Sequence, residues 1–137
     1  MKKLTSIKET QSIANKLAQD VKNGGVILLF GNLGSGKTTL TKFIAEEFNI
    51  SQFLIKSPTY NYIRKYNDNF YHLDLYRIEE MDEIMIQEIS EIWEDDKNVV
   101  IIEWSERLGD NLPSKYIAVT MEFIDEESRG ITIEYAN

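Results

Sequence analysis

The sequence predicts a three-layer α/β domain with a mostly parallel central sheet and added antiparallel hairpin strands. Three observations carry this expectation. A wholly apolar run, VILLF at 26–30, leads into a glycine-rich stretch and then an amphipathic helix. A second apolar run, VVIIEW at 99–104, comes much later. Two pairs of short segments rich in aromatic and β-branched residues flank that second run in sequence. Short apolar runs fit strands buried on both faces, and such strands belong to parallel sheets covered by helices. With 137 residues, 42% of them hydrophobic, residues 1–137 read as one packed domain.

The elements follow in order. Residues 7–22 repeat Ile13, Leu17 and Val21 every four positions, beside Ala14 and Ala18, which predicts a helix. Ser6 caps its start, with Glu9 three residues on to complete a capping box. Gly24-Gly25 stops it. The strand 26–30 follows, then the glycine loop, then a helix over 37–48 with Leu40, Ile44 and Phe48 on one stripe. Segments 59–66 and 70–77, joined by Asn67-Asp68-Asn69, read as a hairpin. Alternation along the second arm puts His72, Asp74 and Tyr76 on one face, with Leu73, Leu75 and Arg77 on the other. The acidic stretch 78–96, with Ile84, Ile89, Ile92 and Trp93 interspersed, reads as a helix. A strand covers 99–104, and 115–124 with 130–135 make a second hairpin around DEESR.

Composition narrows the function. No apolar run reaches about 18 residues, so no membrane-spanning helix is expected. The basic start lacks a following apolar region, so it does not read as a signal peptide. Cysteine is absent, which excludes disulfides, thiolate metal sites and a cysteine nucleophile, and suits a reducing cytoplasm. A net charge of -8 repels nucleic-acid phosphates, so any role in a nucleic-acid pathway runs through a partner.

The stretch GNLGSGKTTL at 31–40 carries the chemistry. Gly31, Gly36, Lys37 and Thr38 satisfy G-x-x-x-x-G-K-[ST] between a buried strand and an amphipathic helix, the setting of a P-loop. Backbone N–H groups of Gly34, Ser35, Gly36 and Thr39 are candidates to cradle phosphates. Lys37 reaches the β- and γ-phosphates of a nucleotide triphosphate, and the Thr38 hydroxyl takes Mg²⁺. No guanine-specificity motif with its Asp and no LSGGQ-like signature follows the loop, which disfavours a Ras-like GTPase and a transport ATPase. The arginines Arg64, Arg77, Arg107 and Arg129 are scattered, unlike the arginine-rich lid of a small-molecule kinase.

Such a site needs a carboxylate at the end of a neighbouring strand. Glu103, after four apolar residues, either holds Mg²⁺ through water or orients or deprotonates the attacking water; otherwise it is a strand-end acid facing solvent. Asp74 either borders the nucleotide or lies on a solvated edge, and His72, the only histidine, reads as structural. Thr59 in SPTY (57–60) is either a γ-phosphate sensor or part of an ordinary Ser-Pro turn.

GNLGSGKTT, SPTY, HLDLYR and VVIIEW, in that order and rough spacing, make the chain similar to the TsaE (YjeE-type) ATPases of tRNA threonylcarbamoyladenosine biosynthesis. The resemblance runs from the helix start at Ser6–Thr10 to the C-terminal hairpin. It implies a small P-loop NTPase fold, with ATP and Mg²⁺ as cofactors. It implies that Lys37 and Thr38 serve phosphate and Mg²⁺, and that Asp74 and Glu103 are the two functional acids near the metal. It places Thr59 in a switch-like loop, Trp104 beside the glutamate, and Thr10 and Arg129 near nucleotide-contacting positions. Asn32 stands where Asp is common, and Ser128-Arg129-Gly130 departs from the usual Gly-Arg order. The resemblance further implies action through TsaB and TsaD on adenosine 37 of tRNA, touching tRNA only indirectly. A P-loop kinase and a non-hydrolysing nucleotide-binding adaptor are the competing readings.

Overall fold

A computed structural model describes residues 1–55 and 62–137. Helix α1 (Ile7–Asp20) starts at Ser6, whose Oγ accepts the Glu9 N–H at 3.2 Å. Glu9 reaches back one residue further than the capping-box rule predicts, and its Oε1 accepts from the Thr5 N–H at 3.1 Å and the Thr5 hydroxyl at 2.7 Å. Ala14, Leu17 and Ala18 form its buried stripe. Strand β2 (Gly25–Phe30) runs into the glycine loop, and helix α2 (Lys37–Glu46) leaves it. Strand β3 (Ile63–Tyr66) and strand β4 (Phe70–Asp74) form the first hairpin, antiparallel across Asn67–Asn69. Helix α3 (Glu83–Glu94) is capped by Asp82, and strand β5 (Val99–Glu103) is buried along its whole length. Strands β6 (Tyr116–Asp125) and β7 (Ser128–Ala136) close the chain, and a short strand β1 (Lys2–Leu4) begins it.

One sheet of seven strands holds the described residues in the order β1-β7-β6-β2-β5-β4-β3. The four middle strands are mutually parallel, and the three outer pairings are antiparallel. Period-two alternation then divides β2 between two cores. Ile27 and Leu29 pack under α1 and α2 with Leu17, Leu40 and Ile44. Val26 and Leu28 pack on the other face with Ile89 of α3, Val100 and Ile102. Each such fully buried side chain contributes roughly 1.5–3 kcal/mol.

The expected architecture is present, with several local differences. The hairpins are not mere additions to a parallel core, because β4 and β6 each pair parallel with a core strand. The first hairpin's second arm stops at Asp74 rather than 77, so Tyr76 and Arg77 follow no strand alternation. The predicted helix 78–96 is shorter at both ends, since Asp82 supplies the cap. Trp104 is not in the strand. The loop predicted around 125–129 is tighter, and Arg129 lies within β7. Strand β1 was not expected; at three residues it carries no periodicity to read.

Ile89 is the one fully buried residue of α3, while Ile84 on the same helix is 79% exposed. Ile89→Ala is expected to lower unfolding stability by about 2–5 kcal/mol. Ile84→Ala should stay within about 0.5 kcal/mol. Denaturant midpoints of the two variants check the contrast.

Candidate active site

The parallel strands β2, β5 and β4 end side by side, and ligands of open α/β sheets bind at such carboxyl ends. The glycine loop leaves β2 there. Gly31 has φ +140°, and a Cβ on it would stand 2.3 Å from the Met121 carbonyl oxygen, so only glycine fits. Gly36, φ +107°, turns the chain into α2. The first-turn N–H groups of α2, with Thr38 and Thr39, therefore face a cleft of about 500 Å³, a size suited to a small ligand. Gly34 and Ser35 complete its rim.

Lys37 is buried under this loop. Its Nζ donates to the Gly31 carbonyl, to the Asn32 carbonyl at 3.0 Å and to Ser35 Oγ at 3.4 Å. The Trp104 ring covers it at 4.4 Å from the centroid. Burial pulls the Lys37 pKa below the usual lysine value, while Glu103, Glu106 and Asp74 pull it back up.

Glu103 ends β5 beside Asp74, its register partner at the end of β4. One Glu103 oxygen, Oε1, accepts from the Thr38 hydroxyl at 2.7 Å. The other, Oε2, lies 2.6 Å from His72 Nε2. Glu103 is thus not the solvent-facing acid of the bland alternative, being 2% exposed. Asp74 is half-buried, lines the cleft and accepts the Tyr76 N–H at 3.1 Å. Trp104 follows Glu103 in the left-handed region, φ 58° and ψ 44°, a conformation of order 1–3 kcal/mol above the ordinary ones for a non-glycine residue. The turn aims its ring at Lys37 and against Tyr76, with ring centroids 5.0 Å apart.

Arg129 reaches the cleft from β7. Its guanidinium donates to the Asp125 and Ser128 carbonyls at 2.7 and 2.9 Å and stacks over Phe123. Thr10 does not line the cleft; its hydroxyl donates to the Ser6 carbonyl at 3.4 Å. Thr59 lies outside the described residues. The cleft also holds residues that the sequence reading did not assign. Tyr76 and Arg77 line it, although false strand alternation had separated them. Glu106 Oε2 accepts the Gly31 N–H at 2.9 Å, a contact across 75 positions with no local signal. A larger cleft, about 860 Å³, opens at the opposite ends of β2 and β5, but it lacks the loop and the threonine–glutamate pair. The chemistry, not the volume, selects the smaller one.

Comparison with known proteins agrees with this layout. The family model "Threonylcarbamoyl adenosine biosynthesis protein TsaE" matches residues 4–131. The tRNA threonylcarbamoyladenosine biosynthesis protein TsaE of Rickettsia typhi is 36% identical, over 100% of this chain and 96% of the relative. That of Bacillus subtilis is 34% identical, over 90% and 78%. The crystal structure of Bacillus subtilis YdiB superposes with a TM-score of 0.73 at 29% identity, covering 99% of this chain and 84% of that one. Matched nearly end to end in sequence and in fold, the chain belongs to the TsaE family of tRNA threonylcarbamoyladenosine biosynthesis proteins.

Proposed function

We propose that this chain binds ATP with Mg²⁺ in the glycine-loop cleft and hydrolyses it, as an accessory to threonylcarbamoylation of adenosine 37 in tRNA. It acts through a TsaB–TsaD complex rather than on tRNA directly, in keeping with its net charge of -8. The observation that carries the reading is the 2.7 Å hydrogen bond from Thr38 to Glu103, under a loop that buries Lys37.

The donor set suits Mg²⁺. Thr38 and Glu103 offer hard oxygens, and among the described residues no cluster of three or more His, Asp or Glu forms an all-protein cage. A cation that takes its other ligands from phosphates and water fits that pattern. When bound, Mg²⁺ neutralises charge on the phosphate oxygens. Lys37 and the α2 N–H groups bind the phosphates, and Arg77 and Arg129 add positive charge from the cleft walls. Arg129 was expected near the nucleotide, whereas Arg77 was read only as one of four scattered arginines. Asp74 orients the attacking water and accepts its proton. Burial first, and the Glu103 charge second, raise its pKa above the usual aspartate value, which strengthens it as a base. Slow turnover alone follows from the self-paired resting contacts: Glu106 occupies the Gly31 N–H with a negative charge, and Lys37 is tied to loop carbonyls.

Phosphate release from Mg²⁺·ATP should therefore be slow alone and rise about tenfold or more when TsaB and TsaD are added. Equal rates would count against the accessory role, and transfer of phosphate to a metabolite would favour the kinase reading. Lys37→Ala should weaken ATP binding about 10- to 100-fold, as for loss of a charged hydrogen bond of roughly 1.5–3 kcal/mol, and should abolish reconstituted tRNA modification. Glu103→Ala should lower turnover about 100-fold while moving the ATP dissociation constant far less.

A pH dependence follows from Asp74. Its raised pKa means that the native state holds this proton more tightly than the unfolded chain. Stability from this group is present at low pH and lost as pH rises from the ordinary aspartate value through the raised one. Asp74→Asn should raise the melting temperature at pH 7. The gain should vanish below about pH 4, and turnover should fall at every pH. Thermal melts across a pH series check it.

A further inference from the structure

His72 is the only histidine in the chain and is 0% exposed. It stands on β4 opposite Ile101, two residues before the end of β5, on the sheet face that carries Phe70 and Ile101 in the core beneath α1 and α2. A core position of that kind is ordinarily aliphatic, because a buried polar ring with unmatched nitrogens costs roughly 1–3 kcal/mol. Here only one nitrogen is matched. Nε2 lies 2.6 Å from Glu103 Oε2, while Nδ1 has no hydrogen-bond partner among the described residues. The imidazole therefore retains a stability cost, and its one hydrogen bond among the described residues is to the carboxylate at the head of the cleft.

We propose that His72 is a positioning residue for hydrolysis: its Nε2–H holds Glu103 Oε2, which fixes the carboxylate plane and turns Oε1 toward Thr38. The proposal rests on the ATPase reading above. A glutamate has three rotatable bonds before its carboxylate, and the Thr38 hydroxyl alone leaves the far oxygen free to swing. A donor on each oxygen removes that freedom, as partners behind metal-site carboxylates commonly do. As an ionised carboxylate Glu103 carries only acceptors, so Nε2 is the donor in this arrangement. That leaves the Nδ1 lone pair as the unmatched atom.

Two variants and one spectrum test this. His72→Leu fills the core space and removes the donor; His72→Gln keeps an N–H near the Nε2 position. His72→Leu is expected to lower kcat about 10- to 100-fold with little change in the ATP dissociation constant, and to lower stability as well, because it leaves Glu103 Oε2 buried without its donor. His72→Gln should restore most of the rate. Because the chain has one histidine, ¹⁵N-histidine labelling yields a single imidazole spectrum, expected to show Nε2 protonated and Nδ1 bare. The Nε2–H resonance should shift in Glu103→Gln. A His72→Leu rate within twofold of wild type, a Gln variant as impaired as the Leu one, or an unprotonated Nε2 would each overturn the proposal. Absence of turnover in wild type, with and without TsaB and TsaD, would instead fell the ATPase reading and the positioning role with it. The spectrum would still report whether the His72–Glu103 contact forms.

Discussion

Glu103 lies at the end of β5 with 2% exposure, and a buried carboxylate costs several kcal/mol unless its oxygens are matched. Both oxygens are matched, by Thr38 from α2 and by His72 from β4. The three side chains come from positions 38, 72 and 103, and only the sheet order can bring them together. β5 must lie between β2, which delivers the loop and α2, and β4, which delivers the histidine. A one-residue slip of β4 against β5 would turn His72 to the α3 face and leave the carboxylate half-matched. The register of the parallel core and the chemistry of the cleft are therefore one constraint.

Much of this arrangement was legible in the sequence, and the rest was hidden for identifiable reasons. β2, β5, α1 and α2 were readable because burial imposes period or apolar continuity on the chain, and Lys37, Thr38 and Glu103 were readable because they stand at fixed offsets from those runs. The place of β4 and β6 in the parallel core was not, since strand pairing leaves no mark on local pattern. Alternation misled at Tyr76 and Arg77 because nothing in HLDLYR signals that pairing ends at Asp74. Trp104 left the strand through a left-handed turn that an aromatic residue rarely adopts, so no propensity rule would place it there. His72 was read as structural because one histidine without a nearby serine or cysteine suggests no catalysis; its contact with Glu103 spans 31 positions. Arg129 was reachable only through resemblance, and its place in the cleft depends on β7 lying beside β6.

Charge and hydrogen bonding both bear on how the cleft would take the proposed triphosphate. Lys37, Arg77 and Arg129 face Asp74, Glu103 and Glu106, so the described site has no excess of positive charge to offer. An ammonium has three protons to donate, and Lys37 already directs its own to Gly31, Asn32 and Ser35. A phosphate held by Lys37 would therefore replace at least one of these bonds, beneath the Trp104 ring that covers the ammonium. The Gly31 N–H is in the same position, since it serves either the Glu106 carboxylate or a phosphate oxygen. A ligand shifts an equilibrium between two arrangements only through contacts that differ between them. Lys37 and Gly31 hold contacts that a phosphate in the cleft would have to replace. Glu103, by contrast, is held on both oxygens, by Thr38 and by His72.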